Sequence, residues 1–352
     1  MSSGTSGWEG EALLERRDAE TGALMLVAIH SSRLGPATGG TRLKTYPSED
    51  LARRDARRLA EAMTYKWAAA DFPRGGGKAV LAVPDGFGGA AREGLLRRYG
   101  AFLRELSGRF ATGPDVGTSP ADMDVIAETG APYVFSRTPA RGGAGGSGPW
   151  TALGVFAAIE AVGERLFGDR SPRGRRVVVQ GAGSVGGPLI ERLLEAEARV
   201  AVGDPSPEAM GRFRGVSGVE LLAPETCLEA EADVLAPCAL GGVLDAAMIP
   251  RLRCRAVVGA ANDQLAEPAD AGRLRARGIL YAPDFVVNAG GAVAITGIEA
   301  LGWTPARAEA AVRAIGGTLQ RVLALADRNG LTTDGAARRL AEERLAAAQP
   351  RR

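Results

Sequence analysis

Two lysines, Lys66 and Lys78, stand twelve positions apart (78−66=12) in MTYKWAAADFPRGGGKAV, residues 63–80, the first in an apolar stretch and the second behind three glycines. Lysine is seldom buried without a partner, so two ammonium groups directed inward point to a bound anion or a reactive amine. Farther along, RRVVVQGAGSVGGPLIERLLEAEARVAVGDP reads as a strand running into Gly181-x-Gly183-x-x-Gly186, a helix, and a second strand ending at Asp204, 23 positions past the first glycine (204−181=23). Glycines there permit a tight turn, close approach of backbone to a pyrophosphate and tight helix-on-strand packing, while the helix N-terminus faces the phosphates. The terminal carboxylate accepts hydrogen bonds from a ribose diol and repels a 2′-phosphate. DPSPEAM offers no arginine to offset that repulsion, so NAD is expected rather than NADP.

A phosphate loop at GGGK is excluded, because that pattern needs a glycine five positions before the Gly-Lys pair and a Ser or Thr after it, where this chain has Phe72 and Ala79. The single histidine, His30, ends the apolar run ALMLVAIH and reads as a packed strand-end residue, which leaves Lys, Asp, Glu, Tyr or Cys as acids and bases. Cys227, Cys238 and Cys254 are odd in number and form no CxxC, so neither a disulfide framework nor a zinc site is expected. Cys238 lies in the loop-like APCALGG and reads as an inert thiol beside a ligand site.

These groups need a scaffold, and 352 residues exceed the size at which one core stops growing, so two domains are expected. With 45% hydrophobic and 24% charged residues and a net charge of +2, the composition is that of a globular protein with no electrostatic case for nucleic acid or anionic membrane. No uninterrupted apolar run reaches membrane-spanning length, and MSSGTSGWEGE lacks the parts of a signal peptide, so it reads as a flexible start to a cytoplasmic protein. ALMLVAIH, GKAVLAV and PYVFS are expected strands of the first half, with a helix over SEDLARRDARRLAEAMTYKWAAA capped by Ser48. Its apolar stripe runs through Leu51, Asp55 or Ala56, Leu59 and Ala62 or Met63, and Lys66 comes next on that inward face. RGGAGGSGP, residues 141–149, reads as a glycine-rich hinge. After the Gly181 turn, strands at ADVLAPCA, RAVVGAAN and GILYAPD complete a doubly wound parallel sheet. The expected division is 1–140, 141–325 and a C-terminal helical segment 326–352.

MTYKWAAADFPRGGGKAV, ATGPDVGTSPADMD, GAGSVG, APCALGGV, GAANDQL and YAPDFVVNAGGA resemble, in order, the motifs of the glutamate/leucine/phenylalanine/valine dehydrogenases, over about residues 20 to 330. ARGGAGGSG, the glycine before Pro114-Asp115 and the YAPDFVVNAGGA run look most like the actinobacterial phenylalanine members. The resemblance implies oxidative deamination of an L-amino acid to a 2-oxo acid and ammonia with reduction of a nicotinamide cofactor. It also implies an N-terminal α/β substrate and oligomerisation domain, a Rossmann-type C-terminal domain, an active-site cleft between them, and a homo-oligomer. Lys66 would bind the substrate carboxylate, and Lys78 would be the general base, made neutral by desolvation and a nearby like charge. Asp115 would shuttle protons to and from the amino nitrogen. Gly39 and Gly40 would let backbone approach the substrate, with Thr38, Met63, Gly113 and Val293 around its side chain. Asn262 and Asn288 would orient substrate and cofactor, and Thr151 would hold the nicotinamide carboxamide. Ser184 and Val185 in the glycine turn, with Pro237, Cys238, Ala239 and Ala260, would complete the cofactor site; no metal is implied.

Two positions depart from the family pattern. Bulky Trp67 follows the first lysine and would pack between domains or narrow the cleft, and Thr38 stands where leucine and phenylalanine enzymes carry an apolar residue and glutamate enzymes a lysine. Without that lysine a substrate's second carboxylate would lack a partner, so acidic amino acids are expected to be poor substrates. Gly113 leaves room for an aromatic ring and the Thr38 hydroxyl could meet a polar tip, so phenylalanine, tyrosine or tryptophan is expected first, with leucine and valine as the alternative. A catalytically idle, NAD-binding relative would need a broken catalytic position, and Lys66, Lys78 and Asp115 are all present.

Overall fold

The computed structural model describes residues 8–348 and divides the chain into two units; MSSGTSG, expected to be a flexible start, lies outside the described residues. The first unit runs to Gly146 and includes Ile295–Gly302 and the residues from Ala341 onward; the second is Ser147–Ala294 with Trp303–Leu340. The division is therefore not linear as expected.

In the first unit, β1 (Ala12–Arg17), β2 (Leu24–Ser31), β3 (Ala37–Lys44), β4 (Gly75–Ala82) and β5 (Phe110–Pro114) form one sheet in the order β1-β2-β4-β3-β5. The pairs β1–β2 and β2–β4 are antiparallel, while β4–β3 and β3–β5 are parallel. Helix α1 (Glu49–Ala69) covers one face, where Ala52, Ala56 and Ala60 meet Leu24, Leu26, Ala28 and Val80. Helices α2 (Ala90–Glu105) and α3 (Pro120–Gly130) cover the other through a core of Met25, Val27, Leu95, Leu103, Phe110 and Ile126.

Ser48 caps α1 as expected, its side chain accepting from the Leu51 N–H. The inward stripe keeps Ala56 and Leu59 of the expected residues and departs from the expectation at the other positions. Ala52, Ala56, Ala60, Thr64 and Trp67 are buried, whereas Leu51 is exposed and Asp55, Met63 and Lys66 line the rim. Small alanines win the inward face because α1 lies directly on the sheet: a Cβ on Gly76 would stand 2.0–2.5 Å from the side chain and backbone of Thr64. Arg344 donates to the Ala68 and Ala69 carbonyls at the end of α1, which ties the C-terminal residues to this unit rather than leaving 326–352 separate.

PYVFS forms no strand; only Val134 makes an isolated bridge to Thr112, and the parallel edge position belongs to β5. The GGGK lysine sits inside β4, so this stretch is a strand and not a loop.

The second unit begins with α4 (Gly148–Phe167) and carries β6 (Arg176–Gln180), α5 (Gly186–Glu195), β7 (Arg199–Gly203), α6 (Pro207–Gly211), β8 (Val219–Leu221), β9 (Ala232–Pro237), β10 (Cys254–Val257), α7 (Asp270–Ala276) and β11 (Leu280–Tyr281). All six strands are parallel in the order β11-β10-β9-β6-β7-β8, the doubly wound arrangement whose order reverses between β6 and β9. Helices α8 (Asp284–Val287), α9 (Gly290–Leu301), α10 (Pro305–Arg313), α11 (Ile315–Asn329) and α12 (Thr333–Ala347) follow, the unit boundary falling within α9 and α12. Asp284–Leu301, over α8 and α9, is long and apolar enough by length and composition to cross a membrane, but it is interrupted by Asp284, Asn288 and Glu299 and is 72% buried in the fold, as core helices are.

Overpacking a close helix–strand contact costs about 1–3 kcal/mol. Gly76→Ala should therefore lower the melting temperature by several degrees. Gly88→Ala, whose Cβ meets nothing within 4 Å, should leave it unchanged. Equal melting of the two variants would show that α1 does not rest on β4 this closely.

Candidate active site

The register of β4, β3 and β5 brings together Lys78 and Asp115, the residues expected to carry the acid–base chemistry. Thr38 pairs with Gly76 and Thr41 with Ala79, which brings Gly40 level with Lys78, and on the other side Gly40 pairs with Gly113. Thr41 pairs with Pro114, so Arg42 stands level with Asp115. Lys78 reaches across β3, over Gly40, and its Nζ lies 2.9 Å from Asp115 Oδ2. A side chain at position 40 would block this approach, since a Cβ there would be 2.8 Å from the Cβ of Asp115.

Asp115 is fixed by more than Lys78. Arg42 Nε donates to the same Oδ2 at 2.9 Å, and the Asp115 N–H donates to Thr118 Oγ1, which itself donates to the Thr41 carbonyl. Burial alone would raise its pKa, but the charges of Lys78 and Arg42 and their hydrogen bonds outweigh burial and hold it at about 2. In this state Asp115 is an ionised counter-charge and acceptor. The partner that the structure gives Lys78 is thus a carboxylate.

Lys66 is half-buried in the last turn of α1. It lies eleven residues after Asp55, about three helical turns, and so shares its edge of the helix roughly 16 Å further along. That edge faces Arg42, which Asp55 Oδ2 accepts from at 2.9 Å. Met63, on the same rim, packs against Gly39: a Cβ there would be 3.3 Å from Met63 Cγ. Gly113 has open space, a Cβ meeting its nearest atoms only at 3.8 and 3.9 Å.

The two departures from the family pattern are coupled. The Trp67 indole N–H donates to the Thr38 carbonyl at 2.9 Å, and its ring packs 5.1 Å from that of Phe72, with the side chain 1% exposed. Trp67 is therefore a buried support of β3 within the first unit. Thr38 donates its own hydroxyl to the Pro36 carbonyl at 3.2 Å, so the proton expected to meet a polar substrate tip is already committed.

In the second unit the expected cofactor residues gather at the carboxyl ends of β6, β9 and β10. Gly181 adopts φ 96°, a conformation that favours glycine, and a Cβ on Gly186 would lie 1.8 Å from the Gly181 carbonyl oxygen. Gly183 and Ser184 are exposed at the tip, with open space beside Gly183, and Val185 precedes the first turn of α5. Pro237, Cys238 and Ala239 stand across the switch point, where the Cys238 N–H donates to the Gln180 carbonyl and Ala239 Cβ lies close to Gly181. Burial pushes the Cys238 thiol up to about 12, so it stays protonated. Asn288 Nδ2 donates to Asn262 Oδ1 at 2.9 Å and to the Ala260 carbonyl at 3.1 Å, while its own Oδ1 is buried with no protein partner. Gln180 Oε1, at the end of β6, is likewise without one. Thr151 lies in the first turns of α4, its hydroxyl donating to the Ser147 carbonyl, and Val293 is buried on α9.

Asp204 Oδ2 accepts from the Ala182 N–H at 2.8 Å and Oδ1 from Ser206 N–H at 2.7 Å, which seats the carboxylate beside the glycine turn. An open glycine turn, a carboxylate at the second strand's end and orphaned amide oxygens fit a dinucleotide at this edge. An arginine also approaches, contrary to expectation: Arg212 Nη2 would be 2.8 Å from a Cβ on Gly187, although it faces Glu191 Oε1 at 3.5 Å.

Arg42 and Tyr46 were absent from the residues singled out in the sequence, and Asp55 entered only as an alternative position on the helix stripe. The signal was available in ATGGTRLK, where strand alternation puts Gly40 and Arg42 on one face. His30 plays no part: its Nδ1 lies 2.9 Å from Thr64 Oγ1, and burial lowers its pKa.

Comparison with known proteins adds family to geometry. Residues 21–131 match the family described as "Glu/Leu/Phe/Val dehydrogenase, dimerisation domain", and residues 207–352 match "Glutamate/Leucine/Phenylalanine/Valine dehydrogenase". The chain is 39% identical over 341 residues to a leucine dehydrogenase of Geobacillus stearothermophilus, covering 96% of this chain and 91% of that one. It is 42% identical over 337 residues to a valine dehydrogenase of Streptomyces virginiae, covering 95% and 93%. The crystal structure of L-tryptophan dehydrogenase from Nostoc punctiforme superposes with a TM-score of 0.82 at 36% identity, covering 97% of each chain.

The Asp115 value fixes a pH window. A carboxylate whose folded-state pKa is depressed contributes stability that is fully present above its ordinary value of about 4 and is lost as pH falls toward the folded value. The stability difference between the unmodified protein and Asp115→Asn should therefore be constant from pH 8 to 5 and shrink between about 4 and 2. A difference that already narrows between pH 7 and 6 would contradict the double cation contact.

Proposed function

Because the chain belongs to the Glu/Leu/Phe/Val dehydrogenase family and is an amino acid dehydrogenase, we propose that it oxidatively deaminates branched-chain aliphatic L-amino acids such as leucine and valine with NAD as hydride acceptor. The observation that carries the chemistry is the 2.9 Å contact of Lys78 with Asp115 across the bare backbone of Gly40. Lys66 binds the substrate carboxylate as a charged partner. A nicotinamide cofactor held by the Gly181 turn, Asp204 and Thr151 would supply the acceptor for the hydride on the substrate Cα, and loss of that hydride would leave an iminium. Lys78, as general base, takes a proton from the water that adds to the iminium carbon, and Asp115 relays protons to and from the nitrogen as the carbinolamine collapses to oxo acid and ammonia. Asn262 and Asn288 orient the reactants, the orphaned Asn288 Oδ1 being suited to an N–H donor.

The side-chain preference rests on the relatives and on the pocket. Leucine and valine dehydrogenases at 39% and 42% identity support the branched-chain reading better than phenylalanine. Thr38 offers no cation to a second carboxylate, which sets glutamate aside. An aromatic substrate is the second reading, favoured by the open space at Gly113 and the likeness to L-tryptophan dehydrogenase. NAD over NADP is supported by the charge of Asp204 beside the turn. A cytoplasmic homo-oligomer goes with this reading, its oligomeric part supported by the description of residues 21–131 as a dimerisation domain.

A panel of L-amino acids assayed with NAD and NADP by reduced-cofactor absorbance tests both choices. Leucine or valine with NAD should give the highest kcat/KM, with glutamate and aspartate near background. A higher kcat/KM for any aromatic amino acid would replace the branched-chain reading with the second one, and equal use of NADP would remove Asp204 from its role.

A further inference from the structure

Arg42 lies outside the chemistry just described, yet it touches the atom on which that chemistry turns. Its side chain is 14% exposed, and its Nε donates to the very Asp115 oxygen, Oδ2, that Lys78 Nζ approaches; both distances are 2.9 Å. The other arm of the guanidinium, Nη1, donates to Asp55 Oδ2 at 2.9 Å. Asp55 is held in turn by the Tyr46 hydroxyl at 2.7 Å and by Arg58 Nη2 at 2.9 Å. The guanidinium is thus anchored at both ends, which a planar two-armed donor can do and a point-charge ammonium cannot.

We propose that Arg42 is a positioning residue of the reaction: it holds Asp115 at the oxygen shared with Lys78 and, as a second fixed cation there, sets how tightly the Lys78–Asp115 pair keeps its proton. The inference rests on the reading of Lys78 and Asp115 as the acid–base pair. The charged and titratable groups facing Asp115 are Lys78 from β4 and Arg42 from β3; behind Arg42 stand Asp55 and Arg58 from α1 and Tyr46 from the β3–α1 connection. Without the guanidinium, Lys78 is left alone with the carboxylate and the pair binds its proton more firmly, so its apparent ionisation moves to higher pH. The base form then becomes scarcer at neutral pH.

The test is the pH profile of kcat/KM, with the best substrate of the panel and NAD, for the full-length protein and for Arg42→Gln, Arg42→Lys and Asp55→Asn, with melting and NADH binding measured alongside. Arg42→Gln should lower kcat at neutral pH by about tenfold or more and move the acid limb up by about one pH unit, while NADH binding is retained. Asp55→Asn, which removes the anion that offsets the guanidinium while keeping an acceptor for it, should move the limb to lower pH by less, and Arg42→Lys should restore part of the Arg42→Gln shift. An Arg42→Gln limb that superimposes on that of the unmodified protein or moves to lower pH, or an Asp55→Asn limb that superimposes or moves to higher pH, would overturn the proposal. Should Arg42→Gln not fold, Asp55→Asn reads the same limb, and an unmoved limb there also overturns it. Near-normal turnover by Lys78→Ala would instead defeat the acid–base reading itself, whereas an inactive Lys78→Ala with unmoved limbs in the Arg42 and Asp55 variants defeats only the role of Arg42.

Discussion

A single carboxylate oxygen shared by two cations organises the first unit. Asp115 Oδ2 meets Lys78 of β4 and Arg42 of β3, the strand that carries Gly40, at 2.9 Å each. A buried carboxylate is costly unless its charge is matched, and here the match requires parallel pairing of β4, β3 and β5 in one register with no side chain at position 40. The surrounding structure serves that register. Trp67 pins the Thr38 carbonyl from the α1 side, and from the opposite face the Thr112 hydroxyl donates to the Gly39 carbonyl at 3.0 Å while Thr41 Oγ1 lies within 2.8 Å of the Tyr99 hydroxyl. Both faces of the sheet thus fix the backbone on which the shared carboxylate depends.

The second unit is organised by a different constraint. Parallel strands end at one edge, and reversal of strand order between β6 and β9 leaves a crevice there that no crossover helix fills. Asp204 is tied to this crevice through the Ala182 N–H, so the residue suited to a ribose also closes the glycine turn. Removing its carboxylate would leave Ala182 without its acceptor, which makes Asn the informative replacement for separating charge from turn geometry.

Much of this was legible in the sequence, and the limits are physical. Strands with continuous apolar runs, such as β2, β6 and β9, announce themselves, as does a helix capped by Ser48. The strand β3 did not, because ATGGTRLK carries two glycines and four polar or charged residues where a buried strand usually shows a continuous apolar run. Losing β3 meant losing Arg42, whose role depends on a register that only three assembled strands define. The α1 stripe departed from the expected one for a similar reason: the helix rests on glycines of β4, so alanines rather than Leu51 face inward. Lys66, Lys78 and Asp115 were found through ordered motifs, whereas the committed hydroxyl of Thr38 and the buried seat of Trp67 are tertiary facts.

The central claim is that the missing side chain at position 40 lets Lys78 meet Asp115 and so makes the acid–base pair. Steady-state kcat of Gly40→Ala, on protein shown to melt cooperatively and to bind NADH, tests it most directly. A Cβ placed 2.8 Å from that of Asp115 should separate the pair and lower kcat by ~10²-fold or more. A kcat within a few-fold of the unmodified protein would contradict the account.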